Sequence, residues 1–304
     1  MKEKNREKKL NIAMICDPVG DYKAGALVSA IRFANLLEKR GHKIIFIGAK
    51  SNKDKDHNYN SGLKVYRFRS LPIPKSGGWY TAFPTVKEIK KVLQEEKIDL
   101  VHIILPMWGA IVAVRAAKEL GIRIVSHSHS QPENLFMGVP RFLGRRFLDK
   151  IWNKYLAWLY SKATSIIYVS EFGHKILHHL TEKDKHSTVI SNGVNIERYK
   201  PMEVGDFHDR FNIPTDTVNI VYVGRLFPEK SVDTLIKAVP HIVSKHKNTH
   251  VIIVGVGYLK PKLETLVSEL GINKHVTFLT LNDEDKILAY NAGHIFISPS
   301  FAEL

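Results

Sequence analysis

Short apolar runs rich in β-branched residues alternate along this chain with longer segments in which apolar residues recur every three or four positions. The first kind predicts strands at 12–16, 43–47, 100–104, 123–126, 165–169 and 188–190, and the second predicts helices at 27–39, 85–96, 110–120, 142–160 and 173–180. Strand, helix and strand in repeated order predicts parallel sheets with helices on both faces, hence a doubly wound α/β domain over 11–195. A polar stretch at 196–216, holding Pro201, Gly205 and Pro214, reads as a linker. Alternation then restarts, with strands at 218–223, 250–254, 276–278 and 294–297 and helices at 232–244, 259–270 and 283–291, predicting a second α/β domain over 217–304. Three helices are few for two faces of a sheet, and after the last strand the sequence reads PSFAEL. The expectation is a second domain that is incomplete, its last strands and helices missing.

Composition narrows the class. At 44% hydrophobic residues over 304 positions the chain can bury two cores, which excludes a disordered or coiled-coil protein. The single cysteine, Cys16, excludes an intramolecular disulfide framework and a multi-cysteine metal site. Residues 1–10 carry seven charges and read as a solvated tail; the apolar stretch behind them is too short for a signal peptide. The longest apolar run, 103–114, falls short of the ~20 residues that cross a bilayer and contains Pro106. A cytoplasmic protein is expected. Its formal charge of +15 attracts anions. Nucleic acid is not expected among them, because no helix-turn-helix, RNA-recognition or zinc pattern occurs.

In open α/β sheets ligands bind beyond the carboxyl ends of the strands, so three loops hold the candidate chemistry. In DPVGDYKAG (17–25), Gly25 stands just before a helix, where backbone and orphan amides are open to a phosphate or sugar. In HSHSQPEN (127–134), His127 and His129 project the same way if the strand continues; hydroxyls of a sugar or, less readily, a metal would use them. In GRLFPEK (224–230), Arg225 and Lys230 flank a loop that leads into a helix N-terminus, a setting for a diphosphate. Elsewhere, Gly255-Val256-Gly257 is a poor dinucleotide fingerprint, and His174 and His178 read as a solvated helix face. The segment from Leu148 to Leu159 pairs an aromatic stripe with the basic residues Arg146, Lys150 and Lys154, which suits docking on the core or contact with anionic lipid.

Taken in order, AGALVSAIRFANLLEKRGHKI, DLVHIILP, HSHSQPEN, YVSEFGHKIL, VISNGVNIERYKP, YVGRLFPEKSVDTLIKA, VIIVGVGYLKPKLETLVSELGI and FISPSFAEL resemble glycosyltransferase family 4. The resemblance implies a GT-B fold, two Rossmann-like domains facing a cleft, and retaining transfer from a nucleotide-sugar. It implies that Arg225 and Lys230 hold the donor diphosphate and that Gly25 opens the first loop to it. His129 matches the histidine beside the donor sugar, with His127 as the fallback, and Glu303 the first glutamate of the Glu-x7-Glu motif, which touches the sugar hydroxyls. Gly224, Glu229 and Asn192 join the substrate-binding set. Here the loop's usual Gly-Gly is Ala24-Gly25, the Asp of the Asn-Gly-Val-Asp motif is Asn195, and the motif's second glutamate lies beyond residue 304. Neither a divalent metal nor another cofactor is implied. The acceptor implied by Gln131 to Asn134 and the basic aromatic helix is a membrane lipid such as diacylglycerol, with glycans open, on an enzyme peripheral to the inner face of the membrane. The alternatives are a GT-B nucleotide-sugar epimerase and an inactive fragment that only binds.

Overall fold

A computed structural model describes residues 8–18, 25–50, 63–73, 79–129, 145–181 and 186–301. They fall into two compact units that part between Gly193 and Val194. In the first, nine strands form in chain order: β1 Asn11–Ile15, β2 Lys43–Ala49, β3 Lys64–Phe68, β4 Ser70–Pro72, β5 Tyr80–Ala82, β6 Leu100–Ile103, β7 Arg123–Ser128, β8 Ser165–Tyr168 and β9 His186–Val189. Its helices are α1 Gly25–Lys39, α2 Val86–Glu95, α3 Trp108–Glu119, α4 Arg145–Lys162 and α5 Glu171–Leu177. Seven strands make one sheet in the order β3-β2-β1-β6-β7-β8-β9, every pairing parallel, while β4 and β5 form a separate antiparallel hairpin.

Period-two alternation of apolar residues builds the two faces. On β1, Ala13 and Ile15 pack with Ile89, Val92 and Leu93 of α2 and the alanines of α3. The intervening Ile12 and Met14 pack with Leu27, Ala30 and Ala34 of α1. Both faces are buried, as a parallel sheet requires. At the rim where the strands begin, buried Glu96 accepts from Lys43 at 2.7 Å, Lys64 at 2.6 Å and Tyr66. Those donors, Lys43 first, hold its carboxyl down to about 2. They fasten the edge strand β3, which the sequence pattern misses because its residues are only half-buried.

The second unit has α6 Phe207–Phe211, β10 Val218–Val223, α7 Val232–Lys245, β11 Thr249–Val254, α8 Lys260–Glu269, β12 Val276–Leu279, α9 Asp283–Ala292 and β13 Ile295–Phe296. Its sheet runs β12-β11-β10-β13, again wholly parallel. α7 and α8 cover one face through Leu235, Ile236, Val239, Leu263 and Val267. The other face is covered by Ala289 and Ala292 of α9 together with Phe207 and Ile213, so a fourth, short helix adds to the three that the sequence pattern predicts. Phe207 is fully buried although the stretch around it is polar.

Gly255 and Gly257 have a steric rather than a phosphate-binding reason. A methyl group on Gly255 would run into the carbonyl oxygen of Gly224, and one on Gly257 into that of Leu226. The two loops pair closely instead, Gly224 N–H donating to the Val254 carbonyl at 2.9 Å and Leu226 N–H to that of Val256 at 2.9 Å. Overpacking of this kind costs about 1–3 kcal/mol, so Gly255→Ala is expected to destabilise the second unit by that amount. All four tryptophans (Trp79, Trp108, Trp152 and Trp158) lie in the first unit. On urea unfolding the circular dichroism transition should therefore move while tryptophan fluorescence stays in place; an unmoved dichroism transition refutes the packing argument.

Candidate functional site

Reversal of strand order marks where the crossovers diverge, between β1 and β6 in the first unit and between β10 and β13 in the second. A crevice at the carboxyl ends of such a pair is the usual ligand position.

In the first unit, the end of β7 lies beside β6, and three imidazoles line up on the face covered by α1. The His102 and His127 rings stack nearly parallel, 5.4 Å apart at 6°, and His127 and His129 are 4.0 Å apart. Phe33 of α1 meets His127 edge-on at 5.5 Å. Burial holds His102 at about 3 and His127 at about 4, and pushes His129 well below the ordinary imidazole value, with the neighbouring histidines adding to the effect on His129. All three are therefore neutral at physiological pH. His102 Nε2, both ring nitrogens of His127, and His129 Nε2 have no protein hydrogen-bond partner. Among the described residues no three His, Cys, Asp or Glu side chains are placed to hold a metal ion. The strand does continue to Ser128, so His127 and His129 share a side as their spacing predicts. His102, hidden in an apolar run, is the member that sequence reasoning misses.

Helix α1 gathers further candidates. Gly25 is its first residue, exposed, with nothing within 4 Å of where a Cβ would stand. Ser29, one turn on, donates to Asn192 Oδ1 at 2.6 Å, and Arg32 donates to the Gly193 carbonyl at 3.3 Å. Asn192 thus comes beside α1 although 163 residues separate it from Ser29. Asp17, just past β1, was also missed. Its buried carboxylate accepts from Thr81 Oγ1 at 2.9 Å and from the Ala82 amide at 3.0 Å, both on β5, and from the amide of Gly109 on α3. Burial nevertheless raises it to about 6.

In the second unit the loop after β10 arranges its own cation. The Arg225 guanidinium meets Glu229 at 2.9 Å and lies over the Phe227 ring at 4.9 Å, and its carbonyl accepts from Tyr222 at 2.8 Å. Glu229 therefore orients Arg225. Gly224 has no room for a side chain, since a Cβ would lie 2.5 Å from the Tyr222 hydroxyl. Lys230 closes a one-turn 3-10 helix just before α7. Tyr258, exposed and 5.0 Å from Phe227, flanks the same loop and was missed. The segment after β13 reaches the loop too, Phe301 N–H donating to the Glu229 carbonyl at 3.3 Å. Glu303 and the Gln131 to Asn134 segment lie outside the described residues.

On α4, Leu156, Leu159 and Tyr160 are buried, while Arg146, Lys150 and Lys154 are exposed together with Phe147 and Ile151. No helix among the described residues is long and apolar enough to cross a membrane. His174 departs from the solvated face predicted for it: its ring packs on Tyr168 at 4.9 Å and on His178 at 4.8 Å.

Residues 24–198 match the family model Glycosyltransferase Family 4, and residues 204–303 match Glycosyl transferases group 1. The chain is 27% identical over 303 residues to the phosphatidylinositol N-acetylglucosaminyltransferase GPI3 subunit of Saccharomyces cerevisiae, covering 96% of itself but only 63% of that relative. It is 24% identical over 290 residues to the alpha-monoglucosyldiacylglycerol synthase of Acholeplasma laidlawii, covering 92% of itself and 72% of the relative. Among solved structures it resembles Anabaena HepE in complex with UDP-glucose, with a TM-score of 0.73, 17% identity and coverage of 96% and 74% of the two chains. The sucrose-phosphate synthase of Thermosynechococcus elongatus gives a TM-score of 0.77 at 19% identity, with coverage of 97% and 76%. These likenesses establish the α/β GT-B fold.

Two titrations test the electrostatics. Histidine NMR should show His102 and His127 staying neutral down to pH 5; protonation of either near 6.5 contradicts the buried stack. For Asp17 the folded value lies above that of the unfolded chain, so its contribution to stability falls as pH rises between them. From ~4 to ~6 the loss should reach about 3 kcal/mol. Asp17→Asn should remove that component, and parallel unfolding curves for the two proteins would refute it.

Proposed function

The chain belongs to Glycosyltransferase Family 4, and from that premise we propose that it is a retaining transferase carrying a hexose from a UDP- or GDP-linked donor to a membrane lipid such as diacylglycerol. The observation that carries this reading is the loop 224–230. A guanidinium oriented by Glu229 and braced on Phe227 stands five residues before Lys230, at the carboxyl end of β10 and at the switch point of its sheet. The UDP-glucose complex of HepE supports a nucleotide-sugar donor, and the two lipid-named relatives support a lipid acceptor.

In the proposed reaction the bond from the sugar's anomeric carbon to the diphosphate oxygen breaks as the acceptor oxygen attacks from the same face. The acceptor proton passes to the departing phosphate. Arg225 and Lys230 stabilise the charge that grows on the diphosphate. Neutral His129, with Nε2 unpartnered, bonds a sugar hydroxyl, which both donates and accepts. Glu303 holds other hydroxyls, and Gly25 and Asn192 frame the approach along α1. No divalent metal enters this scheme. The exposed Arg146, Lys150 and Lys154, with Phe147 and Ile151 between them, suit an anionic lipid surface in a peripheral, cytoplasmic protein.

The test offers UDP-glucose and GDP-mannose to the chain with dioleoylglycerol vesicles, with and without anionic lipid, and follows sugar in the lipid phase and its anomeric configuration. Arg225→Ala and Lys230→Ala should each lower kcat/KM by about 100- to 1,000-fold, the scale of a lost oxyanion donor. Changes below threefold would remove the loop from the mechanism. Sugar interconverted on the nucleotide, with none on lipid, would replace transfer by epimerisation.

A further inference from the structure

We propose that Trp108, backed by Phe83, is the floor of the acceptor subsite and takes the C–H face of an uncharged polyol ring, a hexose or cyclitol carried on the lipid. The proposal rests on the transferase reading and departs from its diacylglycerol example: the acceptor it names is a membrane lipid that presents a ring.

Trp108 opens α3, which follows β6, so it stands at the switch point beside β1. Trp108 is 48% exposed, while the residues behind it, Gly109 and Ala110, are buried. The backbone on both sides of the exposed ring is held in place. Phe83 lies 6.1 Å away at a tilt of 41°. Asp17 takes the Gly109 amide, and a Cβ on Gly109 would come within 2.6 Å of that carboxylate. The Met107 carbonyl on the other side accepts from the Ala110 amide at 3.0 Å and from the Tyr155 hydroxyl at 3.4 Å. An aromatic side chain carried on backbone fixed in this way has only its own rotation to lose on binding.

Charge selects the ligand class. A free helix terminus attracts phosphate, but here the Asp17 carboxylate already accepts from the Gly109 amide in the first turn of α3. An anion finds that first-turn donor already taken by a carboxylate. A polyol ring suits this position, because its C–H face carries partial positive charge against the negative face of the indole.

The test uses the full chain with its indole nitrogens labelled, the Trp108 signal being assigned with Trp108→Phe. Methyl α-D-glucopyranoside and myo-inositol should move that signal, and inorganic phosphate should leave it in place. In transfer assays Trp108→Ala should raise KM about 3- to 10-fold for phosphatidylinositol and monoglucosyl-dioleoylglycerol vesicles, with donor KM and kcat unchanged and with Trp108→Phe restoring most of the affinity. Polyols that leave the signal unmoved, or phosphate that moves it equally, overturn the proposal. If no acceptor is glycosylated, the transferase reading fails, and the indole titration still decides whether Trp108 binds a polyol ring.

Discussion

Parallel pairing is the constraint on which the rest of this structure depends. In both larger sheets every strand runs the same way, so the chain must return to the starting rim through a crossover after each strand. All strand ends that feed outgoing loops therefore gather at one rim, whatever their separation in sequence. Gly25, Asp17, His129 and Trp108 are neighbours of that rim in the first unit for this reason, and Arg225, Lys230 and Phe301 in the second. The arrangement concentrates polar groups at strand ends without interrupting the apolar interior, where Ile45, Ile47, Val251 and Ile253 are fully buried.

Much of this was legible because burial on both faces demands continuous apolar strands. Runs such as VNIVYV and HVIIV announce themselves, and the positions 218–223 read from the sequence coincide with β10. What escaped notice lacks that demand. β3 is an edge strand with Lys64 and Arg67 among its five residues, the hairpin strands β4 and β5 have three residues each, and α6 spans five, too few to show a helical period. The candidate site divides similarly. Arg225, Lys230 and the paired histidines show as polar residues at strand ends, whereas His102 sits inside an apolar run and its role appears only once β6 lies against β7. Asp17 reads as a turn residue until Thr81, Ala82 and Gly109 are seen to close on it.

The two units meet the cost of polar groups differently. The first buries ionisable side chains and keeps the imidazoles neutral, so their hydrogen-bonding capacity is retained without a charge to desolvate. The second leaves its cation half-buried and supplies a counter-charge from four residues away, Glu229. Neutral hydroxyl chemistry suits the former setting and anionic chemistry the latter.

The Glu96 clamp lies at the opposite rim, where Lys43, Lys64 and Tyr66 converge on one carboxylate far along the strands from the outgoing loops. Integrity and chemistry are thereby assigned to opposite ends of the same strands. Inheritance can then act on them separately: substitutions in the outgoing loops can explore new substrates while the clamp goes on guarding the fold, and loss of the clamp would be felt as loss of the protein rather than as a change of specificity.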